Sequence, residues 1–146
     1  EFKTMLNDMG FDVMLQVSGS TSTLLGAFFL GMSDHASGTE LDAAGVKAMF
    51  AGGLANVQKQ TKAQKGDKTM MDALIPAVAA AEAAEGDCLA ILEAAKEAAA
   101  RGAKESEQYV SKFGRARSYK EQTIGTPDAG AVSTSLFFAG LCDGLK

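Results

Sequence analysis

The residues whose types and spacing could bind a ligand fall in three polar stretches between apolar segments. The longest is Gly114–Gly130, GRARSYKEQTIGTPDAG, which holds three glycines, a proline and the two arginines Arg115 and Arg117. A connection of this length is unusual in a compact domain, and such loops are usually functional or disordered. Arg115 could clamp a phosphate, and Asp128 could orient a backbone turn or a ligand hydroxyl. The alternative is a surface loop whose charges cap the neighbouring helices.

The second stretch is Ser18–Thr23, SGSTST, which extends the Gly/Ser loop Val17–Ser22 into an apolar segment. Exposed backbone N–H groups at the start of a helix, together with the helix dipole and nearby hydroxyls, form an anion site. The number of hydroxyl residues exceeds what capping requires. The alternative is an ordinary N-cap in a Gly/Ser turn.

The third stretch, Lys65–Asp72, overlaps the end of the loop Lys62–Lys68 and contains two lysines close to a predicted helix start. These lysines could attract a phosphate. The stretch is not a P-loop, because the GxxxxGK[ST] spacing is absent and no strand precedes it. A solvated turn between two helices remains the alternative.

Other residue types point to no further chemistry. His35 is the only histidine, and it lies in a polar turn, where we expect it to be exposed to solvent. Cys88 and Cys142 both lie in helical patterns, which favours reduced, buried thiols over a disulfide. The sequence contains neither a metal-ligand spacing nor a nucleophile-plus-base signature, so we assign no catalytic and no metal-ligating residue.

The elements that must position these stretches are helices, because apolar residues recur at intervals of three and four and no segment alternates with period two. The fold class is therefore all-α, an antiparallel up-and-down bundle or barrel of about six helices. The predicted helices are Phe2–Gln16, Thr21–Ser33, Glu40–Thr61, Met70–Glu85, Asp87–Phe113 and Gly130–Leu145.

Several single residues set the predicted helix ends and irregularities. Thr39 with Asp42 resembles a capping box, and Thr69 can cap the fourth helix. Pro76 lies inside the fourth helix, where we expect a kink, and Gly102 is a weak point in the alanine-rich fifth helix.

Length and composition indicate one domain, 1–146, with enough residues for a sizeable core. The formal net charge of −4 argues against a nucleic-acid partner.

The apolar run Leu24–Met32 is too short to span a membrane, and Glu1–Leu15 lacks the features of a signal peptide, so a cytoplasmic location is the default. The chain begins without Met, inside a helical pattern, which suggests a fragment or a processed protein.

Three motifs in register resemble one family over essentially the whole chain: VSGSTSTLLGAFFL, GDKTMMDALIPAV, and GRA followed by IGTPDAGAVS. They are similar to the nucleotide-binding L subunit, or L domain, of dihydroxyacetone kinase. The resemblance implies a barrel of eight antiparallel helices that binds ADP or ATP with magnesium at one end. It also implies phosphoryl transfer to dihydroxyacetone held on a partner K subunit or fused K domain, with a phosphotransferase-system phosphocarrier as a further partner in one form.

The resemblance also assigns residues to the nucleotide. In the family, a phosphate loop, a methionine in the adenine pocket, the arginine of GRA and an Asp-Pro-Gly lid surround it. The matching positions are Gly19, Ser20, Thr21, Met70, Arg115, Asp128, Ala129 and Gly130.

The sequence departs from the family pattern at several of these places. SGSTST stands where the family has GG[AST]SG, TPDAG stands for HxDPG, Arg117 is added after GRA, and Thr61 stands where a glycine is frequent. The magnesium ligands of the family belong to an acidic GDGDHG loop that would precede Glu1. We therefore expect that this chain alone does not catalyse phosphoryl transfer efficiently.

Two alternatives remain open at this point. The chain could be a related kinase domain that serves another hydroxylated or acyl substrate with a different partner. It could also be a non-catalytic module that binds nucleotide or acts as a protein scaffold.

Overall fold

The helices of this chain are seen in a computed structural model that describes residues 4–10, 20–35, 42–109, 124–126 and 128–145, with the backbone alone at 20–22, 129 and 145. These ranges contain six α-helices and no β-strand, so the all-α prediction is confirmed. A short 3-10 helix, Ser106–Gln108, follows the fifth helix. The helices are α1 (residues 4–10), α2 (Ser20–Ser33), α3 (Ala43–Gln60), α4 (Met71–Ala83), α5 (Cys88–Glu105) and α6 (Ala129–Leu145).

Aspartates cap the third and the fifth helix. The side chain of Asp42 accepts a hydrogen bond from the Gly45 N–H at 2.7 Å, so α3 begins later than the predicted Glu40. The predicted cap Thr39 lies outside the described residues. Asp87 caps α5 by accepting the Ala90 N–H at 2.9 Å, as predicted.

The predicted end of the fifth helix is wrong. Helix α5 ends at Glu105, and by Tyr109 the backbone is extended, whereas the prediction continued to Phe113. The hydroxyl of Ser106 donates to the Ala103 carbonyl at 2.5 Å, and such local bonds compete with the helical ladder. The rest of the predicted segment, residues 110–113, lies outside the described part of the chain.

The chain divides into two compact units, Glu1–Lys62 and Ala63–Lys146. The single domain therefore stays a prediction. None of the helices within the described ranges has the length and apolarity that a membrane span requires.

In the first unit, α2 and α3 pack closely through small residues. A Cβ added at Gly31 would lie 2.6 Å from the Gly52 carbonyl oxygen, which shows how near the two backbones come. The rings of Phe28 and Phe50 stack at 6.3 Å and are both buried. The nearly all-apolar sequence of α2 thus contributes to the core of the first unit. His35 is an exposed turn residue, as predicted.

In the second unit, α4, α5 and α6 share one core. Helix α4 continues through Pro76. Cys142 is buried and Cys88 is half-buried, and both are reduced thiols. The alanines let α4 and α5 approach each other closely, as their small size allows. Fully buried side chains of this core are Leu74, Ala77, Ile91, Ala95, Ala99 and Phe138.

Candidate functional site

Part of the predicted phosphate loop can be placed. The backbone of Ser20 and Thr21 forms the first turn of α2, close to the predicted helix start. Gly19 lies outside the described residues, and so does Arg115, the predicted phosphate clamp. Their contacts with a nucleotide stay predictions.

Met70 directly precedes α4 and is only 2% exposed. The structure therefore places this side chain in the core of the second unit, at the junction between a loop and a helix. Its predicted role as a wall of an adenine pocket stays a prediction.

Asp128 begins α6. Its Oδ2 accepts the Ala131 N–H at 2.9 Å, and its own N–H donates to Ser106 Oγ at 2.8 Å. Burial raises the pKa of the Asp128 carboxyl, against the opposing effect of the Ala131 and Gly130 N–H groups and of the Lys68 charge. The carboxylate therefore orients the first turn of α6.

The two predicted neighbours of Asp128 lie within that turn. Ala129 is the first residue of α6, and Gly130 is buried in its first turn. The carbonyl oxygen of Gly130 accepts a hydrogen bond from the Thr134 hydroxyl at 2.9 Å. The predicted lid motif thus coincides with a helix start fixed by side-chain hydrogen bonds.

A buried carboxylate organises the loop before α4. Asp72 is fully buried, and its two oxygens accept the Gly66 N–H at 2.6 Å and the Thr69 N–H at 3.0 Å. The Thr69 hydroxyl in turn accepts the Met71 N–H at 3.1 Å. Burial raises the pKa of the Asp72 carboxyl, although the hydrogen bonds from Gly66 and Thr69 oppose that shift. The side chain of Asp72 thus folds the loop around itself.

Lys68 lies in the same loop and is 3% exposed. Its Nζ donates to the Ser106 carbonyl at 2.6 Å and also to the Thr126 carbonyl. Burial lowers the pKa of the Lys68 ammonium, while the negative charges of Asp128 and Asp72 act in the opposite direction. One lysine therefore connects the loop before α4 with the end of α5 and with the segment before α6.

The interpretation of Lys65–Asp72 as a solvated turn is wrong for Lys68 and Asp72, which are both buried. It holds for Lys65, which forms a half-exposed salt bridge of 3.1 Å with Glu105. The buried lysine also does not stand open to a phosphate, because its ammonium is already bound to two carbonyls.

Sequence reasoning had one usable signal for this arrangement. Thr69 and Asp72 have the T-x-x-D spacing of a capping box. The structure shows one of its two bonds, from the Thr69 N–H to Asp72 Oδ2, whereas the Thr69 hydroxyl accepts the Met71 N–H instead of the Asp72 N–H. The role of Ser106 had no local signal, because its partners are 22 and 38 residues away.

The described residues do not fit a magnesium site. They contain no group of three His, Cys, Asp or Glu side chains that could hold a metal ion. The two carboxylates of this site, those of Asp72 and Asp128, already accept backbone N–H groups. We therefore derive no step through magnesium, and its predicted ligands in an upstream acidic loop stay a prediction.

Comparison with known proteins shows the family to which this chain belongs. The family model for the DAK2 domain matches residues 1–143. The chain therefore belongs to the DAK2 domain family.

Individual relatives are kinases of small hydroxyketones. The chain is 31% identical over 149 aligned positions to the ADP-binding subunit DhaL of PEP-dependent dihydroxyacetone kinase 2 from Listeria innocua serovar 6a, covering all of this chain and 69% of that protein. It is 41% identical over 78 positions to L-erythrulose kinase from Pectobacterium atrosepticum, covering 51% of this chain and 13% of that protein.

Among solved structures, the dihydroxyacetone kinase of C. freundii has the same fold. Its native form matches with a TM-score of 0.71 and 25% identity over 98% of this chain and 24% of that chain. A second structure of that kinase, in complex with AMP-PNP and Mg²⁺, matches with a TM-score of 0.70. The chain thus corresponds to about a quarter of the C. freundii protein.

Proposed function

We propose that this chain is the nucleotide-binding part of a dihydroxyacetone kinase. It binds ADP or ATP, and a partner K subunit or fused K domain holds dihydroxyacetone. The relatives support this, since the Listeria protein is an ADP-binding subunit and the C. freundii kinase was crystallised with an ATP analogue. A phosphocarrier partner is consistent with the PEP dependence in the name of the Listeria relative.

The observation that carries the proposal is the meeting of two motifs in the second unit. Lys68 of the GDKTM motif donates to the Thr126 carbonyl and to the Ser106 carbonyl. The hydroxyl of Ser106 in turn accepts the Asp128 N–H. The motif that implies an adenine wall at Met70 and the motif that implies a nucleotide lid are therefore held together by hydrogen bonds. A common ligand site for these two motifs requires that they lie together, and residues 58 positions apart do so here.

The proposed reaction divides the chemistry between two proteins. An oxygen of dihydroxyacetone on the K partner attacks the γ-phosphorus of ATP, and the bond between that phosphorus and the β,γ-bridging oxygen breaks. ADP stays on this chain, and the hydroxyl proton leaves to a base on the K partner. The residues of this chain bind and orient the nucleotide, for which helix starts with exposed N–H groups are suited.

The experiment that tests the proposal is calorimetric titration of ADP into the full chain, with and without magnesium. We expect saturable binding that weakens by about tenfold or more in Arg115→Ala, because a bidentate arginine–phosphate pair is a strong, charge-assisted contact. Arg101→Ala is the matched control, since Arg101 is an exposed arginine on α5 and its loss is expected to leave binding unchanged.

Two results would contradict the proposal. If neither ADP nor ATP bound to the full chain under any magnesium condition, the chain would not be a nucleotide-binding subunit on its own. If Arg115→Ala and Arg101→Ala bound equally well, binding would not use the predicted site.

Erythrulose is a second candidate acceptor, because one relative over a 78-residue stretch of this chain is an L-erythrulose kinase. Because the proposed acceptor lies on the K partner, the substrate is decided there. Reconstitution with K partners of each type, followed by a comparison of phosphorylation of dihydroxyacetone and erythrulose, distinguishes the two acceptors.

A further inference from the structure

Lys68 is an unusual charged group among the described residues of the second unit, because its ammonium is buried. A lysine that is 3% exposed must find hydrogen-bond partners inside the protein, because burial of an unpaired charge is strongly unfavourable. Lys68 finds them in two backbone carbonyls, those of Ser106 and Thr126, which lie 38 and 58 residues further along the chain.

The backbone at Lys68 adopts an uncommon conformation. Its φ is 61°, in the left-handed region that residues with a Cβ seldom adopt. The carboxylate of Asp72 fixes the residues on both sides, because it accepts the N–H groups of Gly66 and Thr69. The strained lysine is therefore held in place by its own loop.

The two carbonyls belong to the residues that support the start of α6. Ser106 also accepts the Asp128 N–H through its hydroxyl, at 2.8 Å. The Gly125 N–H donates to the Glu107 carbonyl at 2.6 Å. Through its two hydrogen bonds, Lys68 links these residues to the loop that carries Met70.

We propose that Lys68 is a positioning residue for nucleotide binding: it fixes the segment Ile124–Thr126 and the start of α6 relative to Met70 by holding the Ser106 and Thr126 carbonyls. This inference rests on the proposed function, since Met70 and Asp128 are the nucleotide-binding positions that it aligns. Lys68 itself acts through these residues and does not contact the ligand.

The test compares Lys68→Met with Lys65→Met in the full chain. Lys65 lies three residues away in the same loop but is half exposed and paired with Glu105, so it is the matched control. Titration with ADP and magnesium is expected to show affinity reduced about tenfold or more in Lys68→Met, because a site that is no longer preorganised must be ordered on binding, and this ordering costs affinity. Lys65→Met is expected to bind as the unsubstituted chain does.

A second readout measures directly whether Lys68 holds the segment before α6, while the ADP affinity shows whether this matters for the ligand. Hydrogen exchange at the Gly125 and Asp128 amides is expected to become faster in Lys68→Met than in Lys65→Met, under conditions where both proteins are folded. Lys68→Gln keeps two N–H donors without the charge, and it is expected to restore part of both the protection and the affinity. It also serves as the test variant if Lys68→Met does not fold.

Unchanged ADP affinity in a folded Lys68→Met protein would overturn the inference, and so would unchanged exchange at Gly125 and Asp128. If the unsubstituted chain did not bind ADP, the proposed function would fail. The exchange measurement would still decide in that case whether Lys68 holds the segment before α6.

Discussion

Gly102 on α5 provides a sharp test of how closely α4 and α5 approach each other. A Cβ at this position would lie 2.0 Å from the Asp72 carbonyl oxygen and 3.2 Å from the Ala73 Cα. Both neighbours are backbone atoms of α4, so no side-chain rotation can make room. Gly102→Ala must therefore push the two helices apart.

The magnitude follows from the overlap. A carbon normally approaches a carbonyl oxygen to about 3.3 Å, so the helices must separate by about 1.3 Å at this point. Overpacking of this kind costs about 1–3 kcal/mol, and a backbone clash belongs at the upper end of that range. Alanine regains about 1 kcal/mol of helix propensity over glycine. The net expectation is a loss of about 2 kcal/mol.

The assay is urea unfolding followed by tyrosine emission. The chain has no tryptophan, and Tyr109 and Tyr119 both belong to the second unit, so their emission reports the unit that contains Gly102. Thermal unfolding of the same proteins is expected to show a midpoint about 4–8 °C lower in Gly102→Ala.

Gly140→Ala is the matched control for this substitution. Gly140 is an exposed residue of α6, and a Cβ there would meet no atom within 4 Å. We expect this variant to gain about 0.4–1 kcal/mol, because alanine restricts the unfolded chain more than glycine does. If Gly102→Ala were as stable as Gly140→Ala, the close approach of α4 and α5 would be refuted.

Two further predictions concern polar groups. The folded state raises the pKa of Asp72, so its contribution favours folding below the ordinary value of 3.8 and is lost as the pH rises through the folded pKa. Asp72→Asn is therefore expected to lose less stability than the unsubstituted chain as pH rises from about 4 to 7, and equal slopes of the urea midpoint against pH would contradict this. Asn56→Ala removes the donor that reaches the Ala27 carbonyl at 2.6 Å between α3 and α2, and it should cost about 1 kcal/mol. Circular dichroism during urea unfolding measures this loss, and an unchanged midpoint would count against the bond.

The fold class and most helix positions could be predicted because they depend on local patterns. Apolar residues at intervals of three and four predict each helix, and a cap such as Asp87 marks its start with a side chain of recognisable type. These signals need no knowledge of distant contacts, so helix α2 differs from its predicted bounds by one residue.

Gly102 shows where local reasoning fails. Its low helix propensity predicts a weak point in α5. In the structure, however, Gly102 is buried in the last turn of a helix that continues without a break to Glu105. The reason lies in α4, whose backbone at Asp72 leaves no space for a side chain. Whether a glycine weakens a helix or permits a close packing is decided by the neighbouring helix, which the sequence around residue 102 does not reveal.

Lys68 shows the same limit for a charge. Between Asp67 and Thr69, a lysine has the appearance of a solvated turn residue, and only partners far along the chain make its burial possible. Burial lowers the pKa of the Lys68 ammonium, and the negative charges of Asp128 and Asp72 oppose that shift. Because both partners of its Nζ are neutral backbone carbonyls, an amide at position 68 that still donates two N–H groups is expected to replace the lysine in part.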